Sequence, residues 1–118
     1  MACHGKIAAP EDAPKEVLRF ALEALNRGDY DTYMSYVDYG VEMDSVQAVV
    51  MRDALRQHIS WRKARKPLVA SIDIVDAEME RDTICKVFYR YVYSDGTNEV
   101  AVQKMVRVGG QWMLRARN

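Results

Sequence analysis

The sequence predicts an α+β domain in which three N-terminal helices pack on a four-stranded antiparallel sheet. Apolar residues recur with a helical period up to Pro67 and with a period of two after it. All seven tyrosines fall into two runs. Tyr30, Tyr33, Tyr36 and Tyr39 step by three, and Tyr89, Tyr91 and Tyr93 step by two, so one residue type lies on one side of a helix and on one face of a strand. An amphipathic helix must bury its stripe, and a half-apolar sheet face is its natural partner, so tyrosine is expected on both sides of the join.

The first helix is the best specified. Pro14 suits a first helical position, Val17, Leu18, Ala21, Leu22 and Leu25 make the buried stripe, and Gly28 fits a C-terminal cap. Asp29 can cap a shorter second helix carrying Tyr30, Tyr33, Met34 and Val37, which Gly40 ends. Asp44 or Ser45 can cap a third, with a buried stripe through Val50, Ala54, Leu55, His58 and Trp61 before Pro67 forbids continuation.

Four strands follow. The first, about 68–79, shows Ala70, Ile72 and Ile74 on one face and then slips phase to Ala77 and Met79, which predicts a bulge near Val75. Glu80–Asp82 make a polar turn into a strand over 83–94, and Asp95–Gly96 is a hairpin signal into 97–108. Gly109–Gly110 turns into a last short strand with Trp112, Leu114 and Ala116 on one face. Three consecutive hairpins make a meander.

At 118 residues the chain has the size of one domain that closes its own core, here 13–117, after a lead over 1–12. With 17 basic and 17 acidic residues, the formal charge is zero, and no nucleic-acid partner is expected. The charge is unevenly placed. Residues 1–45 carry nine acids against four bases, whereas 46–67 carry Arg52, Arg56, Arg62, Lys63, Arg65 and Lys66 against Asp53. The basic run either complements a helix C-terminus or forms an anion site at Arg62–Lys66.

Cys85 alternates in phase with Val87, Tyr89, Tyr91 and Tyr93 and reads as a small buried hydrophobe. Cys3 lies in the lead beside His4. If a signal peptide is removed ahead of it, Cys3 stands where the lipid-bearing cysteine of a bacterial lipoprotein would stand, the one route by which a membrane enters this reading; the rival is a cytoplasmic protein with a surface thiol. No spacing of His and Cys resembles a zinc ligand set, and no cofactor motif is present, so neither metal nor cofactor is expected.

His58, between Leu55 and Trp61, is the candidate general base, with Tyr33 or Tyr36 to orient it; its other reading is a core-edge histidine. Lys104 interrupts Val100, Val102, Val106 and Val108. As an inward lysine it would hold an anionic group or reach water at an open mouth. Tyr33, Tyr36, Tyr89 and Tyr91, with Trp61 and Trp112, either line a pocket for a small apolar or aromatic ligand or close the seam between helix and sheet.

The stretch Ala13–Asp29 closes on Asn26-Arg27-Gly28-Asp29-Tyr30, and the sequence ends on a glycine hairpin running from Lys104 to Trp112. In that order and spacing the two ends resemble the nuclear transport factor 2-like (cystatin-like) superfamily, in particular small bacterial domains often carried by lipoproteins. The resemblance covers nearly the whole chain. It implies a curved sheet wrapped around a long helix, forming a cone that can hold a small molecule. Enzymes of the superfamily, such as the ketosteroid isomerases, place an acid–base group there; here the sheet lacks a clear buried carboxylate or histidine. The resemblance also implies a homodimer through the open sheet face, where Ile84, Phe88 and Val92 alternate with Lys86 and Arg90.

The reading that follows is a non-catalytic small-ligand-binding or protein-interaction domain. Its alternatives are an isomerase- or dehydratase-type enzyme using His58 and a structural module docking through Arg62, Lys63, Arg65 and Lys66.

Overall fold

A computed structural model describes residues 9–116. Helix α1 (Asp12–Asn26) opens two residues ahead of Pro14, which lies in the first turn where its missing N–H leaves no bond unmade. Leu18, Ala21, Leu22, Ala24 and Leu25 are buried, and the helix stops at Gly28, whose φ of 85° suits glycine. The expected stripe is observed, with Val17 partly buried at its edge and Ala24 added to it. It packs on the sheet's inner face, where Cys85, Val87, Tyr91, Tyr93, Met105 and Leu114 close the core.

Asp29 caps α2 (Tyr30–Ser35) by accepting the Thr32 N–H at 3.3 Å, as the sequence predicts. The helix stops short of Val37, however, because the chain is captured by a sheet edge. The Leu114 N–H donates to the Tyr36 carbonyl at 2.7 Å and the Ala116 N–H to that of Asp38 at 3.0 Å, making β1 (Val37–Asp38). The sheet therefore has five strands, ordered β1-β5-β4-β3-β2, with β1 parallel to β5 and the rest antiparallel. The expected four-stranded antiparallel sheet is corrected to a five-stranded mixed one. A two-residue strand has no period to read, and its partner lies 77 positions further along the chain.

Strands β2 (Val69–Arg81), β3 (Ile84–Tyr93), β4 (Asn98–Val108) and β5 (Gln111–Arg115) form the expected meander. The register of β2 against β3 shifts between Ile74 and Asp76, the predicted bulge at Val75. That slip keeps Ile72, Ile74, Ala77 and Met79 all on the core side. The turn into β3 is Asp82–Thr83 rather than Glu80–Asp82, since β2 runs on to Arg81.

Helix α3 (Ser45–Arg65) starts at a capping box, with Asp44 accepting from the Gln47 N–H at 2.8 Å and the Gln47 side chain accepting from the Asp44 N–H at 3.0 Å. All of its predicted stripe except Leu55 is turned the other way. Val50, Ala54, His58 and Trp61 are exposed, and the side facing the body is Ala48, Met51, Leu55 and Ile59, of which Ile59 is fully buried. Three basic residues on that same side fix the rotation: Arg52 pairs with Asp31 at 2.7 Å, Arg62 bonds Asn26 at 2.9 Å and Lys66 pairs with Glu99 at 2.9 Å. No helix among the described residues is long and apolar enough to cross a membrane.

Candidate functional site

The inner sheet face carries Tyr89, Tyr91 and Tyr93 because β3 alternates, and α1 and α2 bring Asn26 and Tyr33 against them. The Tyr89 and Tyr91 rings meet edge to face with centroids 5.7 Å apart. Burial pushes the Tyr33 phenol up to about 12, helped by its neighbours Tyr39, Tyr91 and Tyr89. Burial also raises Tyr39, and it is the largest cause of the rise at Tyr89. At neutral pH these phenols stay protonated, so the seam offers aromatic faces and hydroxyl donors rather than a base.

The basic end of α3 closes one side of this seam. The Arg62 guanidinium lies 5.0 Å from the Tyr91 ring centroid and donates to the Asn26 carbonyl oxygen, while the Asn26 amide donates to the Tyr91 hydroxyl at 3.3 Å and to the Leu22 carbonyl at 2.8 Å. One turn on, Lys66 sits 5.8 Å from the Tyr93 ring centroid and pairs with Glu99, which also accepts from the Tyr93 hydroxyl. The Tyr93 hydrogen bond, then Lys66, holds the Glu99 carboxyl below its ordinary range. Burial, and after it the Glu99 bond, pushes Tyr93 up to about 12. Arg62 and Lys66 thus spend their charge on the chain's own aromatic rings and a carboxylate, while Lys63 and Arg65 point outward.

Beside the seam, a concavity of about 600 Å³ opens between the start of α3 and the segment leading into it. Tyr39, Val41, Met43, Val46, Gln47, Val50, Met51 and Ala116 line it. Tyr39 belongs to both places, packing against the core cluster behind and facing the cavity in front. The β1–β5 pairing puts it there: that pairing ends the chain's α2 course early and delivers residues 39–43 to the mouth beside Ala116.

The structure gathers Tyr33, Tyr89 and Tyr91 but separates the other candidates. Tyr36 packs against the core and lends its backbone carbonyl to β5. His58 is exposed and lies nearly parallel to the Trp61 ring, centroids 6.4 Å apart, so both the core-edge histidine and its alternative, an enclosed base within reach of Tyr33 or Tyr36, are corrected to a histidine on the outer side of α3. Trp61 is itself 51% exposed under the Arg65 guanidinium. Trp112 packs against the far end of the core and borders a separate concavity with Met79 and Arg107.

Lys104 lies on the outer sheet face, because cross-strand partners share a face: Cys85 opposes buried Met105, and Lys86 opposes Lys104. There Lys86 and Lys104 share Glu80, at 3.2 and 3.6 Å, and the valines of β4 point outward with them. The inward lysine is thus corrected. Cys3 lies outside the described residues. Among those residues no three of His, Cys, Asp and Glu gather as a ligand set. Asn26, Glu99 and the cavity wall carry no local sequence signature of a site beyond the apolar spacing of Val41, Met43, Val46 and Val50 around a helix start.

No protein-family model matches the sequence, and no curated protein matches it either. Solved structures do. A Campylobacter jejuni NTF2-like protein with a provisional transpeptidase assignment superimposes with a TM-score of 0.71 at 17% identity, over 88% of this chain and 98% of that one. The fold is nuclear transport factor 2-like. A Rhodopseudomonas palustris protein containing a SEC-C motif follows with a TM-score of 0.54 at 14% identity, covering 98% of this chain and 95% of its own. A Kribbella flavida protein gives 0.51 at 15% identity, covering 87% and 84%. At such identities the likeness to the Campylobacter jejuni structure carries the fold, and none of the three carries the chemistry.

Proposed function

We propose that this nuclear transport factor 2-like domain binds a small apolar or aromatic molecule without transforming it, in the concavity beside Tyr39. The observation that carries the reading is the wall itself: a volume of about 600 Å³ lined by one aromatic ring, three valines and two methionines, the composition and size of small-molecule sites. Met43 and Met51 can repack around ligands of different shape. The tyrosine seam behind Tyr39 supplies a rigid back wall rather than an acid–base pair.

Native mass spectrometry of protein purified gently from its host, together with titration of an anilinonaphthalene sulfonate probe, tests this. A one-to-one adduct, and probe fluorescence lost in Met43→Asp and Tyr39→Ser at unchanged circular dichroism, supports the reading. Probe binding that ignores both substitutions contradicts it.

A second reading rests on a separate surface. On the outer sheet face Val100 and Val102 are 65% and 54% exposed beside Phe88, which suits a modest protein contact, a second copy of this chain included.

A further inference from the structure

Helix α3 carries two apolar stripes, and only one has a partner among the described residues. Leu55 and Ile59 face the body, while Val46, Val50, Ala54, Gln57, Trp61 and Ala64 lie exposed on the opposite side. From Val50 onward their spacing alternates four and three, the heptad rhythm of a helix that packs lengthwise against another helix. Gln57 stands in the middle of that seam, where one polar residue sets register.

We infer that a second copy of this chain covers the seam, with the two α3 helices antiparallel. Charge selects the direction. Exposed Glu42 and Asp44 precede the helix, and its last turn carries outward-pointing Lys63 and Arg65. A parallel pair sets like charges together, whereas an antiparallel pair sets the basic end of each helix beside the acidic start of the other and opposes their dipoles. Side-chain size agrees. A two-fold axis between Ala54 and Gln57 puts each Trp61 against Val50 of the other copy, a large ring over a smaller residue, and brings Ala54 opposite Gln57.

The helix's 21 residues make a seam ~30 Å long. Covering a strip ~10 Å wide on both copies removes on the order of 600 Å² from water, below the size of stable specific interfaces and in the range of weak, transient ones. The dimer therefore forms and dissociates with concentration. Its contact is isologous, so it closes at two copies. Val46 and Val50 belong to both the seam and the cavity wall, yet the pairing does not depend on whether that cavity holds a ligand.

Sedimentation velocity from low to high micromolar concentration, with circular dichroism as the check on folding, tests the pairing. The expected result is a monomer that becomes a dimer in the wild type and in Val102→Glu, but stays monomeric in Ala54→Glu and in Trp61→Glu. Orientation is read by oxidation in a Cys3→Ser background: chains bearing Val50→Cys cross-link to chains bearing Trp61→Cys when the two are mixed. A monomer at every concentration overturns the proposal, as does a dimer lost only in Val102→Glu, or Val50→Cys chains that cross-link to themselves in preference to the mixture.

Discussion

Helices α1 and α3 differ in how their apolar residues are distributed: α1 gathers them on one side, α3 scatters them among basic and polar residues, and the two end in opposite circumstances. In α1, Leu18, Ala21 and Ala24 are wholly inaccessible and the sheet covers one whole side. In α3, which is six residues longer, Ile59 alone among the described residues is buried, and Val50 is 63% exposed. The first helix is held by apolar area. The second is held by polar clamps at three points, Asp31, Asn26 and Glu99, each reached by one long basic side chain. Burial of area is non-directional and strong, while such clamps are directional and weak, so they set how α3 is rotated more than how firmly it is attached.

The largest expected effect separates the two helices. Leu18→Ala in α1 should lower the unfolding free energy by about 2–5 kcal/mol, read by urea denaturation, whereas Val50→Ala in α3 should stay within about 0.5 kcal/mol of wild type. Equal losses would mean that α3 is covered by its own chain.

A smaller effect comes from pH at the clamp. Tyr33 and Tyr93 are both raised to about 12. Protons are held more tightly in the folded state, so the stability they give is full below the ordinary tyrosine value of about 10 and is lost as pH rises through 10 to 12. Glu99 is lowered, so its contribution is present above the ordinary carboxylate value and fades as pH falls below about 4. Thermal melts across pH should therefore show an alkaline decline that Tyr93→Phe reduces.

These contrasts also mark what could be read from residues. The course of α1 from Pro14 onward, the cap at Asp29, the Asp44 capping position, the Val75 bulge and the two glycine hairpins follow from local rules, because each depends on neighbours in the chain. What escaped depends on distant partners. The β1–β5 pairing is non-local, the outward face of β4 is set by its register against β3, and the rotation of α3 is decided by Asp31, Asn26 and Glu99 rather than by its two competing apolar stripes. Of the candidate site, the tyrosine pairing of helix and sheet was legible. The cavity beside Tyr39 was not, since it exists only where residues 39–43 are brought past Ala116.

Hydrogen–deuterium exchange, followed peptide by peptide at low and high protein concentration, tests the central contrast most directly. The account predicts that α1 exchanges slowly at both concentrations, while α3 exchanges quickly in the dilute monomer and gains protection across 46–64 as concentration rises. An α3 as protected as α1 in the dilute monomer would contradict it.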